Sequence, residues 1–343
     1  MVTYKQSGVD IDESNLAKKK LKEHVKSTFT SNVLTGIGSF GALYSFDKDK
    51  FKNPVLVSSS DGVGTKIKLA LMSGKFDTIG QDLVNHCVND IAVMGAKPLF
   101  FLDYIALGKM DSDAVEQIVK GLSVACKENG CSLIGGETAE MPGLYKIGDF
   151  DLAGFIVGAV EKDNIIDGHD VKMGDSIIGL HSTGLQTNGY SLANKIFFEM
   201  SDYKLDDRPD ELQGKSLGEA LMAVHSSFLK PISQIMDKGI AIKGMAHITG
   251  GGLVENIPRI LLKGMNAKID LNSWEVPAIF KLIKRLGNVP DDDMFRTLNM
   301  GIGLVMIVAR EDEAKVVAEL HDLGVQNSVI GKIVKGKQQV VIK

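Results

Sequence analysis

The run Pro54-Val55-Leu56-Val57-Ser58-Ser59-Ser60-Asp61-Gly62-Val63-Gly64-Thr65-Lys66 constrains this chain more than any other stretch. It opens apolar and β-branched, breaks at Asp61-Gly62, and leads into Thr65-Lys66-Ile67-Lys68-Leu69-Ala70-Leu71-Met72, which reads as a helix. Strand, glycine turn and helix N-terminus in that order leave backbone N–H groups converging on one spot, which is an anion site. Lys66 adds a mobile positive charge and Asp61 a carboxylate suited to Mg²⁺, so the stretch suits a nucleotide phosphate. The same residues also read as an ordinary Asp-Gly turn. A Walker A loop is excluded, because its Gly-x-x-x-x-Gly-Lys spacing is absent.

A chain of 343 residues holds two domains, each with its own core, expected here as 1–168 and 169–343. A net charge of −4 gives no pull toward nucleic acid or an anionic membrane surface. Cys87, Cys126 and Cys131 lack metal-site spacing, and an odd count fits reduced thiols in a cytoplasm. The first twenty residues are polar and Lys-rich, unlike a secretion signal. No apolar run approaches the roughly 20 residues that span a bilayer. The expectation is a cytoplasmic protein.

Along the chain, 12–26 reads as an amphipathic helix. Gly36, Gly38 and Gly41 match Gly-x-Gly-x-x-Gly, but no good strand precedes them. They read as a loop covering phosphate, or as a plain surface loop. The pattern over 77–94 predicts a helix stopped by Gly95, with Asp82, Asn85, Asn89 and Asp90 on one side. These polar groups are either a solvated face or partners of a bound ion. Pro98–Leu107 is a strand carrying Asp103, and Asp111 caps a helix to about Glu128. Cys131–Gly136 is the next strand, with Glu137, Thr138 and Glu140 just past its end, where α/β folds place ligands. Asp149–Val160 is a long buried strand.

The pattern then restarts. Asp175–His181 is a strand, Ser182–Gly189 a hydroxyl- and Gly-rich loop, and Tyr190–Met200 a helix. Leu217–Asp237 reads as helical, interrupted by Pro231. A third loop, Met245–Gly252, holds His247, Thr249, Gly250 and Gly251 before a helix from Leu253. A lone His there is more often packed than catalytic. Helices over 277–286, 291–298 and 311–323 alternate with the strand Leu304–Val308 and two short closing strands.

Taken in order, these loops resemble the aminoimidazole ribonucleotide synthetase (phosphoribosylformylglycinamidine cyclo-ligase) family. The matching stretches are 36–41, 61–66, 82–90, Gly135-Gly136-Glu137-Thr138-Ala139-Glu140-Met141-Pro142-Gly143, Asn188-Gly189-Tyr190-Ser191-Leu192, 247–252 and Arg296-Thr297-Leu298-Asn299-Met300-Gly301-Ile302-Gly303. Gln186 stands where the family usually has His, which removes a titratable group; Gln still hydrogen-bonds phosphate or amide.

The resemblance implies a two-domain α/β subunit. Its N-terminal mixed sheet with helices would form a shared barrel across a homodimer, and its C-terminal α/β domain would close the cleft. It implies that ATP phosphorylates the formamide oxygen of formylglycinamidine ribonucleotide, after which a substrate nitrogen closes the ring. ATP and Mg²⁺ are the implied cofactors, with K⁺ a further candidate.

By this reading Asp61, Asp90 and Glu137 hold Mg²⁺. Gly62, Gly64, Thr65 and Lys66 take phosphate, with Gly36, Gly38 and Gly41 closing over it. Asp82, Asn85, Glu137 and Thr138 contact the nucleotide. Asn188, Gly189, His247, Thr249, Gly250 and Gly251 take the substrate. Asp61, Lys66 and Asn188 are the expected catalytic groups. Related ATP-using families share this grammar. Selenophosphate synthetase often has an N-terminal Cys, and the hydrogenase-maturation dehydratase needs a C-terminal one; the cysteines here lie elsewhere.

Overall fold

The computed structural model describes Lys5–Lys343, in two compact units. One holds residues up to Ile91 and Ala96–Asp163; the other holds Ala92–Gly95 and Asn164–Lys343. The division falls at Asp163/Asn164, ahead of the expected 168/169.

The first unit is built on four strands: β1 (Pro54–Gly62), β2 (Lys97–Leu107), β3 (Ser132–Glu140) and β4 (Phe150–Glu161). Their order is β1-β4-β2-β3. Only β2 and β3 run parallel, so they need the crossover helix α4 (Ser112–Glu128), which Asp111 caps through the backbone N–H groups of Asp113 and Ala114. The remaining helices are α1 (Ile11–Lys26), α2 (Ile67–Ser73) and α3 (Asp77–Ala92). Burial along β4 alternates with period two over most of its length: Leu152, Gly154 and Ile156 face helices, while Asp151 and Phe155 are exposed.

Two sequence expectations fail here for one reason. β1 does not break at Asp61-Gly62: both residues pair with β4, opposite Gly154 and Ala153. β3 does not end at Gly136, because the ladder with β2 continues through Glu137 to Glu140. Ladder hydrogen bonds outweigh the local turn preference of Asp, Gly and Glu.

α3 is buried almost all round. Asp82 and Asn89 are as enclosed as Val84, Val88 and Ile91, so the solvated-face reading is excluded. α3 crosses α4 with backbones in contact: a methyl at Gly80 would lie 2.2 Å from the Ile118 carbonyl oxygen, and one at Gly121 1.9 Å from that of Asp77.

The second unit has six strands: β5 (Ser176–His181), β6 (Ile242–His247), β7 (Met265–Ile269), β8 (Ile302–Val308), β9 (Asn327–Lys335) and β10 (Gln339–Ile342). The order is β10-β7-β9-β5-β8-β6, antiparallel except for β10 with β7. Both faces are covered. Ile177, Val305 and Ile307 pack with Leu253, Ile257 and Trp274; Ile178, Leu304 and Met306 pack with Ile232, Ile235 and Leu320. That is why β8 is buried throughout.

The helix expected over 217–237 is two, Leu217–Leu221 and Leu229–Asp237, with irregular chain between. Pro231 does not break the second one; it sits in the first turn, where no helical partner for its missing N–H is needed. Tyr190–Met200 is a short α-helix to Asn194 followed by a π turn. Strand β7 was not anticipated.

The α3–α4 crossing yields a prediction. Gly80→Ala should destabilise the protein by about 3 kcal/mol through overpacking, seen as a lower urea midpoint with unchanged slope.

Candidate active site

The end of β1 meets α3 in a carboxylate–imidazole cluster. Asp61 Oδ2 stands 2.9 Å from His86 Nε2, which lies 3.9 Å from Asp90 Oδ2. Ser59 donates to Asp90 Oδ2 at 2.9 Å. Asp61 is exposed, Asp90 half-buried and His86 buried. Burial alone would lower the His86 pKa, but the hydrogen bond to Asp61 and the charges of Asp90, Asp61 and Asp82 outweigh it and raise the value. His86 was not picked out from the sequence. Its signal is spacing: Asp82, His86 and Asp90 sit four residues apart, on one helix face.

The ligand atoms of Asp61, His86 and Asp90 all lie within 4.8 Å of one another. The two carboxylates are the hard oxygen donors Mg²⁺ takes; the imidazole nitrogen is a poor Mg²⁺ ligand and serves better as the hydrogen-bond partner of Asp61. Glu137 does not join them. It lies on β3, at the other edge of the sheet from β1, with β4 and β2 between. Three strand spacings put about 14 Å between the two strands. The expected three-carboxylate set is therefore not assembled within one chain.

Lys66 also departs from expectation. It is not a mobile charge: it is buried and ion-paired to Asp82 at 2.8 Å. Burial pushes its pKa down while Asp82 pulls it up. Asp82 is thus committed to Lys66, and Asn85 accepts from Asn129 Nδ2 at 2.8 Å, so both tie elements together. The helix after Lys66 is only seven residues long and preceded by a 3₁₀ turn over Gly64–Lys66. Gly62 belongs to β1, while Gly64 takes a positive φ of 53° and turns the chain.

Gly36, Gly38 and Gly41 lie in an open loop with free space around each Cα. Its base is closed by Leu34 N–H to the Leu43 carbonyl and by Leu43 N–H to Thr35 Oγ1, at 2.9 and 2.8 Å. Phe40 at its tip is fully exposed. Thr138 is paired with Ile105 inside the sheet.

In the second unit, the Asn188 and Thr249 loops are neighbours. A methyl on Gly250 would stand 3.5 Å from Asn188 Oδ1. The close approach made by the triple glycine is to the chain itself: a methyl at Gly252 would lie 2.0 Å from the Phe295 carbonyl oxygen. Gly189 likewise adopts φ 79° against Leu298, and Gly251 φ 96° against Glu255. The helices that follow, Tyr190–Asn194 and Gly252–Asn256, are five residues each, too short for much dipole. His247 is buried, with Nε2 3.1 Å from His225 Nε2.

Gln186 adopts φ 64° and is buried beside Phe228 and Gly303, and neither amide atom has a hydrogen-bond partner among the described residues. An unsatisfied buried amide costs about 1–3 kcal/mol.

Comparison with known proteins places this geometry in a class. The N-terminal domain of AIR synthase related protein matches residues 42–160, and its C-terminal domain matches 172–343. Among solved structures, thiamine-monophosphate kinase from Stenotrophomonas maltophilia shares the fold at a TM-score of 0.71 and 18% identity, covering 94% of this chain and 96% of that one. Hydrogenase maturation protein HypE in complex with ATP does so at 0.69 and 17%, covering 98% and 92%.

The sequence relatives narrow the class. Phosphoribosylformylglycinamidine cyclo-ligase of Caldanaerobacter subterraneus subsp. tengcongensis is 52% identical over 339 residues, 99% of both chains. That of Thermoanaerobacter sp. (strain X514) is 52% identical over 341 residues, 99% of this chain and all of the relative. This chain belongs to the phosphoribosylformylglycinamidine cyclo-ligase family.

The orphaned amide makes one prediction. Gln186→Met keeps the volume and removes the unsatisfied polar atoms, and should raise stability by about 1 kcal/mol in chemical denaturation.

Proposed function

We propose that this chain catalyses the ATP-dependent ring closure of formylglycinamidine ribonucleotide to 5-aminoimidazole ribonucleotide, releasing ADP and phosphate, in de novo purine biosynthesis. The observation that carries the reading is identity of about half the residues, end to end, with enzymes named for this reaction. An amide oxygen is a poor leaving group, and phosphorylation by ATP makes it a good one. The protein's task is then to position reactants and stabilise charge.

Asp61 and Asp90 are the residues that would hold Mg²⁺, which when bound would neutralise the nucleotide phosphates. His86 would orient Asp61, and Ser59 would orient Asp90. Lys66 acts indirectly, by fixing the turn that carries Gly64 and Thr65. Gly36, Gly38 and Gly41 would cover the nucleotide. Asn188, Gly189, Thr249 and Gly250 would contact the substrate.

We assign a homodimer, with a second copy on the outer sheet face. Leu56 and Phe155 are exposed there at 64% and 43%, next to half-buried Leu102 and Tyr104. An apolar sheet face of this kind calls for a covering layer. Three buried free thiols fit a reducing cytoplasm. Among the described residues no helix is long and apolar enough to cross a membrane.

Purified protein with Mg-ATP should release ADP only when formylglycinamidine ribonucleotide is present, one for one with diazotisable aminoimidazole. ATP binding without substrate-dependent turnover would overturn the assignment. Asp61→Asn should cut turnover at least about a hundredfold; near-wild-type turnover at saturating Mg²⁺ would remove Asp61 from metal binding. Phe155→Glu should convert the dimer to monomer in sedimentation velocity.

A further inference from the structure

The stretch Arg296–Gly303 is one of the motifs that carry the family resemblance, yet it supplies no group to the chemistry above. It forms a tight turn instead, closed by the Ile302 N–H on the Asn299 carbonyl at 3.0 Å. Within it Met300 takes φ 53° and Gly301 φ 95°. A left-handed backbone is uncommon at a residue such as Met and persists only where the surroundings hold it. Here Trp274 Nε1 donates to the Met300 carbonyl at 3.0 Å, and the Gly301 N–H donates to Asn299 Oδ1 at 2.8 Å.

Asn299 is buried, and its amide faces the start of the Ser182–Gly189 loop. Nδ2 donates to the Gly184 carbonyl at 3.0 Å. The Ser182 hydroxyl reaches Asn299 Oδ1 at 3.1 Å and the Gly184 carbonyl at 2.8 Å. The Ser182 N–H donates to the Gly301 carbonyl at 2.9 Å. Backbone partners set the orientation of the amide: the Gly301 N–H only donates, so it meets Oδ1, and the Gly184 carbonyl only accepts, so it meets Nδ2. The far end of the loop rests on the same segment, since a methyl on Gly189 would lie 2.2 Å from Leu298 Cδ2. The charged and titratable side chains flanking these segments are held elsewhere. His181 is on Ser328 Oγ at 2.9 Å, Arg296 pairs with Glu255 at 2.8 Å, and Lys281 pairs with Glu275 at 3.2 Å.

We propose that Asn299 is a positioning residue for the ring closure: its side-chain amide fixes the start of the Ser182–Gly189 loop and so sets where Asn188 meets the substrate. The role rests on the reading that this loop takes the substrate. It needs one acceptor and one donor in a fixed order. A carboxylate at this position keeps the bond from the Gly301 N–H but turns a lone pair toward the Gly184 carbonyl, and pushes the loop away. The same carboxyl in its neutral form carries an O–H that donates to that carbonyl, and restores the contact.

The test is the KM for formylglycinamidine ribonucleotide in Asn299→Asp, taken as a ratio to wild type at each pH so that titration of the substrate and of His181 cancels. Near pH 8 the ratio should be at least about tenfold, the worth of one lost hydrogen bond to a buried carbonyl. Burial raises the pKa of the introduced carboxyl, so the ratio should fall toward about one as the pH drops to about 5.5. KM for ATP should move less than about twofold throughout, because the loop does not hold the nucleotide in this reading. Asn299→Ala should raise the substrate KM with no such pH dependence. A ratio near one at all pH, a raised ratio that does not change with pH, or equal rises in both KM values overturns the positioning role. Should neither variant fold, Ser182→Ala decides: it loosens the same corner and should raise the substrate KM about threefold, and an unchanged value overturns the proposal. Asn188→Ala separates the two readings. An unchanged substrate KM there overturns the loop reading and the positioning role with it; a raised one, with no effect at Asn299, overturns the positioning role alone.

Discussion

The buried ion pair between Lys66 and Asp82 is the constraint from which the first unit's chemistry follows. Two charges out of water survive only as a pair, and removing one partner of such a pair typically costs about 3–5 kcal/mol. Lys66 belongs to the turn leaving β1 and Asp82 to the second turn of α3, so the pair fixes the strand end against the helix. One helical turn past Asp82 comes His86, and one turn further Asp90. With the helix held in that place, His86 meets Asp61 and Asp90 stands beside them. The charge that resembles a phosphate ligand in the sequence is spent on the scaffold that aims the carboxylates.

Close packing does the rest of the aiming. Gly80 and Gly121 let α3 and α4 touch backbone to backbone, and Gly154 leaves room under Phe101, Leu83 and Cys87. α3 is thereby pressed against both its neighbours, which explains why its polar side chains are satisfied by protein, as Asn85 is by Asn129. In the second unit the glycines of the loops serve the same end. Gly189 and Gly252 fit against Leu298 and Phe295 and hold the loops down, while Gly250 leaves backbone open beside Asn188.

Much of this was legible in the sequence where periodicity or capping chemistry is strong. α1, α3 and the helix capped by Asp111 follow the pattern, as do strands β2, β4, β5 and β8. The fold family was legible because seven modest motifs occur in one order. What was not legible depends on distant partners. Asp61-Gly62 and Glu137 look like turn and loop residues until β4 and β2 pair with them. Glu137 was grouped with Asp61 and Asp90 because sequence order does not show that β1 and β3 are opposite edges. Lys66 looks like a free cation until Asp82 is found opposite it. His225, in a loop, carries no periodic signal, and the four-residue spacing of His86 from Asp82 and Asp90 reads only as a helix face until Asp61 is found beside it. Each is revealed only by its neighbour.

Asp103 gives the first unit a link to acidity that its position in the core makes unavoidable. It lies within β2 under Gly136, where burial, with a smaller push from Glu137, raises its carboxyl to about 7. The unfolded chain releases that proton near pH 4. Between about pH 4 and 7 the native state therefore holds a proton that the unfolded state does not, and stability at this residue falls as pH rises through that window. Folding of this domain near neutrality is, in part, a proton-uptake reaction.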